Sequence, residues 1–172
     1  MSSMPTEPII RRARLEDYEA VTGLFEELDA LHRERLPWLF QASGSPPRPA
    51  DRFAELLDRD DSAFVVAEAD RIVGIAHGLL RSAPELSVFV PQRWGLLDSL
   101  VVDPAWRRRG IGRLLASAIE VWALGQGAAW VEASVYEFNV ESRRFYETLD
   151  YLPLRTVMRK APPDERRPRS FT

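Results

Sequence analysis

The stretch LLDSLVVDPAWRRRGIGRLLASAIEVW, Leu96 to Trp122, decides the fold. It reads as a buried strand (Trp94 to Val102), a turn (Asp103 to Arg109) and a long amphipathic helix (Gly110 to Leu124) that Gly125 and Gly127 stop. The helix opens among Arg107, Arg108, Arg109 and Arg113, with Gly110 and Gly112 between them. A helix N-terminus carries partial positive charge and open amide donors, so it favours acidic residues and a Ser, Thr, Asp or Asn cap. None of those side chains occurs from Ala105 to Gly112. A helix end that is both cationic and uncapped calls for an anion, and phosphate is the usual one.

The flanking chain supplies the rest of a layered α/β domain. Ile9 to Ala13 reads as a first strand. Leu15, Tyr18, Val21, Phe25, Leu28 and Leu31 carry helical spacing up to Pro37. Trp38 to Pro49 is a proline-rich loop, and Asp51 caps a second helix to Leu57. Ala63 to Ala69 and Ile72 to Leu80 form a hairpin through Asp70-Arg71. After the opening stretch come a strand over Ala129 to Val135, a helix over Val140 to Leu149 capped by Asn139, and a final strand over Tyr151 to Lys160. The predicted order is β-α-α-β-β-β-α-β-α-β. The strands flanking the arginine-headed helix run parallel through a right-handed crossover, with ligands expected beyond their carboxyl ends.

Composition narrows the chemistry. A chain of 172 residues with formal net charge −3 lacks the broad basic surface that nucleic acid rewards. No apolar run reaches the ~20 residues of a membrane helix, and the N-terminus lacks a signal-peptide layout, so a cytoplasmic protein is expected. With no cysteine and only His32 and His77, thiolate chemistry is excluded and no metal is expected.

Arg107 to Gly112 matches R-x-x-G-x-G, in which glycines let backbone amides approach a pyrophosphate. Together with Leu100-Val101-Val102-Asp103-Pro104 before it, and with Asn139-Val140-Glu141-Ser142 followed by Phe145-Tyr146 and Leu149-Asp150-Tyr151, it resembles the GNAT superfamily of acetyl-CoA-dependent N-acetyltransferases. Ser142 replaces the family's usual Ala, and Asp150-Tyr151 replaces Gly-Phe at a turn that often needs φ > 0.

The resemblance implies an α+β fold: a mixed, mostly antiparallel sheet with splayed parallel strands at the acetyl-CoA site and helices on both faces. It implies a domain over residues 8–164, with flexible termini at 1–7 and 165–172. Acetyl-CoA, as co-substrate, would rest its pyrophosphate on the amides of Arg107, Arg108, Arg109, Gly110, Ile111 and Gly112, with Arg113 nearby. Its pantetheine arm would pair with the backbone of Leu100, Val101 and Val102, and Asn139 would touch it or simply cap its own helix. Tyr146 would protonate the departing thiolate, unless it is only a core aromatic.

The base is open among Asp98, Glu132, His77 and water. Asp98 sits in an apolar strand, where an unpaired carboxylate is costly, and by alternation shares a face with Leu96, Leu100 and Val102. Glu132, Ser134 and Tyr136 share a face of the next strand. For both carboxylates the alternative is a structural ion pair, and for His77 a satisfied core histidine.

The expected reaction is direct acetyl transfer to a primary amine of a small molecule or protein, with a possible homodimer and no nucleic-acid or membrane partner. A non-catalytic acyl-CoA sensor on the same fold is the alternative. The acceptor pocket is expected between Leu31 to Pro49 and Ser82 to Arg93, with His32, Trp38, Phe40, Phe89 and Trp94 available to line it.

Overall fold

The computed structural model describes residues 7–43 and 47–160. The expected flexible termini, apart from Glu7, and the middle of the proline-rich loop lie outside the described residues. The chain divides into two compact units, one ending at Ser134 and one beginning at Val135.

The first unit is a five-stranded sheet in the order β1-β2-β3-β4-β5. Its strands are β1 (Ile9–Arg12), β2 (Ser62–Glu68), β3 (Ile72–Ser82), β4 (Arg93–Val102) and β5 (Val131–Ala133). All neighbours are antiparallel except β4 and β5, which are parallel as expected. The helices are α1 (Tyr18–Arg35), α2 (Ala50–Asp58) and α3 (Ile111–Gly125). Short 3-10 turns at Leu15–Asp17 and Pro104–Trp106 lead into α1 and follow β4.

β2 and β3 are near-continuous apolar runs because both faces of the sheet are covered. On one face Val21 and Phe25 of α1 and Phe53 of α2 pack on Phe64, Val66, Ile75 and Val101. On the other, α3 lies very close to the sheet. A Cβ built on Gly78 would fall 2.6 Å from Ile119 Cγ2, and one on Gly95 2.7 Å from Ala123 Cβ. Glycine is what permits that approach, and it lets Leu115 and Ile119 reach zero exposure. Each such aliphatic side chain contributes about 1.5–3 kcal/mol of burial.

Two local expectations are corrected. Pro49, not Asp51, is the N-cap of α2; Asp51 lies inside the first turn and accepts the Arg52 amide at 2.8 Å. The Arg52 amide, which a capping side chain would otherwise satisfy, is taken by Asp51 from within the first turn. β5 is also shorter than the predicted Ala129 to Val135.

The second unit contains α4 (Val140–Glu147), capped as predicted by Asn139, whose side chain accepts the Ser142 amide at 3.0 Å. Asp150 takes φ = +64° at the turn that follows. The predicted final strand is absent: Tyr151 to Lys160 is irregular, and Leu152, Val157 and Met158 are at least 85% exposed. The apolar alternation of that segment suits a strand, but its backbone pairs with no strand among the described residues.

Candidate active site

At the head of α3 the uncapped, cationic turn is present as read. Gly110 is the N-cap at φ = +79°, with no side-chain hydrogen bond, and a Cβ there would meet nothing within 4 Å. The first intrahelical bond runs from the Leu114 amide to the Gly110 carbonyl at 3.2 Å, so the amides of Ile111 and Gly112 have no helical acceptor. Ile111 is 1% exposed and anchors the turn in the core, so it can offer a ligand only its backbone. Arg108 also adopts a left-handed conformation, φ = +62°. That conformation is uncommon outside glycine, and it turns the chain sharply before Gly110.

The arginines divide their work. Arg107 donates through Nε to the Val102 carbonyl at 2.9 Å and lies 3.7 Å from Glu27 of α1. Its role is partly to fasten the turn to the end of β4. Arg109 lies over the Trp106 ring at 4.9 Å, which fixes its guanidinium by cation–π attraction. Arg108 and Arg113 are exposed.

The strand before the turn is half open. β5 pairs with β4 only at Gly95, Leu96 and Leu97. From Ser99 to Val102, β4 keeps its β3 partners but has no β5 partner. This leaves backbone donors and acceptors along the Leu100 to Val102 edge, ending at the arginine turn.

The same point carries a β-bulge. His77 opposes Ser99 and Gly78 opposes Leu97, so Asp98 is an extra residue with no partner on β3. The bulge overturns the expected alternation. By register Leu100 and Val102 face α3, whereas Asp98 and Ser99 turn toward α1 and α2, on the side of Leu96 and Val101.

A cleft of about 240 Å³ opens there, lined by α1, α2 and the sheet, with His77, Asp98 and Ser99 at its floor. His77 is 5% exposed and stacks on Phe64, with ring centres 4.7 Å apart. Its Nε2 lies 3.1 Å from Ser62 Oγ and its Nδ1 3.3 Å from Asp98 Oδ2. Ser99 Oγ donates to the same carboxylate oxygen at 3.2 Å. The donors and acceptors are satisfied when Ser62 donates to Nε2 and Nδ1–H donates to Asp98. The His77 hydrogen bond, opposed by burial, holds the Asp98 carboxyl below the usual carboxylate range.

Hydroxyl, imidazole and carboxylate here follow the order of a nucleophilic triad. Exposure reverses its sense. Ser62 is 2% exposed and closed off in the core, whereas the Asp98 side chain is 43% exposed. The carboxylate is the end that faces the cleft, and Ser62 is enclosed in the core.

Of the other candidate bases, Glu132 sits opposite Leu96 in β5 and is not part of the cleft lining. Of the two segments expected to shape an acceptor pocket, Leu31 to Pro49 contributes Pro47 and Arg48 to this cleft, and Ser82 to Arg93 contributes nothing to it. His32 stacks on Phe40 and Trp94 on Trp130, and neither pair lines the cleft; Trp38 does not line it either, and Phe89 lines a separate surface depression. Ser62, Ser99 and Phe64 were not singled out in the sequence. Only the strand register and the bulge bring them to His77.

In the second unit, burial pushes the Tyr146 phenol up to about 12. Its ring contacts Phe145 at 5.1 Å and Tyr151 at 5.3 Å. Asn139 spends its side-chain oxygen on the α4 cap, which leaves its amide nitrogen for a ligand. Among the described residues no cluster of acidic or histidine side chains is arranged to hold a metal ion, and no helix is long and apolar enough to cross a membrane.

A model of the acetyltransferase (GNAT) family matches residues 25–151, from α1 through the turn after α4. The chain belongs to the GNAT acetyltransferase family. An acetyltransferase of Pectobacterium atrosepticum is 31% identical over 143 residues, 83% of this chain and 86% of that one. A solved tetramutant of a Bacillus halodurans protein superposes with a TM-score of 0.84 at 26% identity, covering 90% of this chain and 99% of that one. An aminoglycoside N-acetyltransferase solved in complex with CoA shares the fold, with a TM-score of 0.72 at 20% identity, covering 95% and 99%. The family assignment agrees with the mixed sheet, the half-open parallel pair and the uncapped turn of this GNAT chain.

Proposed function

We propose that the protein transfers the acetyl group of acetyl-CoA directly to a primary amine. The observation that carries this reading is the open β4 edge from Asp98 to Val102, which leads straight into the uncapped arginine turn. A pantetheine arm is an amide chain that can pair with such an edge, and a pyrophosphate suits open amides among cations. The open space at Gly110 fits that use.

Asp98 accepts the proton that the amine loses as it attacks the thioester carbonyl. The carboxylate is ionised at neutral pH, and His77 behind it fixes its orientation. An amide on the open β4 edge stabilises the oxyanion. Tyr146, assigned by family resemblance, donates to the leaving sulfur. Its phenol, at about 12, is a weaker acid than a thiol near 8.5, so it serves best as a hydrogen-bond donor while charge develops on sulfur. The absence of cysteine and the burial of Ser62 both favour direct transfer over an acyl-enzyme.

Thiol release from acetyl-CoA across a panel of amines, beside calorimetric CoA binding, tests the reading. Amine-dependent thiol release is expected. CoA binding with no turnover of any amine would replace the enzyme with an acyl-CoA sensor.

A further inference from the structure

The cleft beside Asp98 has a composition that selects among amines. Its walls are Tyr18, Phe25, Phe53, Leu56 and Phe64, with the Phe53 and Phe64 rings 5.2 Å apart and edge-on. Among the described residues that line it, Asp98 is the sole carboxylate, and the other charged residues apart from His77 are two arginines, Arg48 and Arg52. Each arginine already holds an acid. Arg48 forks onto Asp29 at 2.6 and 3.0 Å while lying 4.0 Å over the Phe25 ring, and Arg52 reaches Glu55 at 2.6 Å. Asp29 and Glu55 are therefore each paired with an arginine, and Asp98 remains as the carboxylate of the lining.

A polycation would bring several ammonium groups into this space. Only one could sit at Asp98; the others would lie among Arg48 and Arg52 and lose hydration with no second carboxylate in the lining to replace it. A cleft of about 240 Å³ is also smaller than the ~300–1,000 Å³ of drug-sized sites. We propose that the acceptor is a small primary monoamine with a compact apolar or aromatic body, its nitrogen at Asp98 and its body against Tyr18 and Leu56, the half-buried apolar residues of the lining. This rests on the acetyl-transfer reading. The ammonium first releases a proton to solvent. As the C–N bond forms and the C–S bond breaks, a second proton passes from nitrogen to Asp98, and the thiolate leaves as the thiol after protonation.

The test compares 2-phenylethylamine with kanamycin and spermine, using the full chain, acetyl-CoA and thiol release. The expected kcat/KM for 2-phenylethylamine exceeds that for either polycation by about tenfold or more, roughly the effect of one unpaired ammonium. Thr22→Glu adds a second carboxylate to the lining from α1 and is expected to narrow that ratio by lowering KM for spermine without raising its kcat. Turnover of kanamycin or spermine above 2-phenylethylamine would overturn the inference and leave the enzyme reading standing. An unchanged ratio in Thr22→Glu would show that lining charge does not select the acceptor, and would overturn the inference as well. CoA binding with no amine turned over would remove both.

Discussion

Gly110 is the residue at which the pyrophosphate assignment is most exposed to test. Its φ of +79° penalises any side chain, while the space around it is open, so a substitution there meets strain but no clash. Asn and Asp tolerate the left-handed region better than other residues and have nearly the same shape. Gly110→Asn and Gly110→Asp should therefore lose similar stability, about 1 kcal/mol each. They differ in charge. A carboxylate about 5 Å from a phosphate, at an effective dielectric near 20, repels each phosphate charge by about 3 kcal/mol. That corresponds to more than a hundredfold in affinity. Gly110→Asn should bind CoA within a few-fold of the wild type, and Gly110→Asp should bind at least a hundredfold more weakly. Calorimetric titration with CoA, alongside thermal melts, separates the two effects. The gap should shrink in about 1 M salt, where the screening length falls to about 3 Å. Equal CoA affinity in the two variants would refute a phosphate site at this turn.

Tyr146→Phe should lower kcat by about a hundredfold while CoA affinity changes little, because the phenol acts only as sulfur departs; since the phenol, at about 12, stays protonated across the assay range, the loss should be independent of pH below about 9, and equal turnover would assign the donor elsewhere. Gly78→Ala should cost about 1–3 kcal/mol in urea unfolding, because its Cβ would lie 2.6 Å from Ile119 Cγ2; a neutral effect would mean that α3 does not pack as closely as described. Asp17, 7% exposed, receives two bonds from Arg11 and one from the Arg14 amide, and the Arg11 bonds in particular lower its pKa. A lowered folded pKa means that stability is present above the unfolded value near 4 and is lost as pH falls through the folded value. Asp17→Asn should therefore cost about 3 kcal/mol at pH 7 and progressively less as pH falls below about 4, as read by denaturant midpoints; a cost unchanged with pH would remove the ionic account.

The elements with strong periodicity were legible in the sequence. For α3, the amphipathic pattern and the missing cap placed the helix and singled out its uncapped N-terminus. The apolar runs of β2 and β3, joined through Asp70-Arg71, likewise marked the hairpin. The cleft was not legible, because its members come from distant positions that carry no common local signal. His77 and Asp98 stood out as candidates, but nothing local marked Phe64 or Ser99, and Ser62 fell just outside the predicted strand. The final strand failed for a different reason. Alternation in Tyr151 to Lys160 reports a compatible backbone, but a strand also needs a partner edge, and a partner is a tertiary property.

The bulge at Asp98 shows why a period-two reading fails where function is concentrated. Without an extra residue, Asp98 would continue the face of Leu96, and Leu100 and Val102 would follow it toward α1 and α2. With it, Asp98 and Ser99 both turn into the cleft, and the strand beyond is re-phased, so that Val101 reaches the α1–α2 core while Leu100 and Val102 pack toward α3. A bulge also sharpens local twist and bends the strand. β5 pairing stops at Leu97, one residue before that bend. One inserted residue thus has two consequences with a common cause: it sets Ser99 beside Asp98 on the cleft side, and it bends β4 where its edge is released. In the proposed reaction the first gives the carboxylate that takes the amine's proton a hydroxyl partner, and the second leaves main-chain donors for the thioester arm. Both meet at the point on β4 where the proposed reaction must bring nitrogen and carbonyl carbon together.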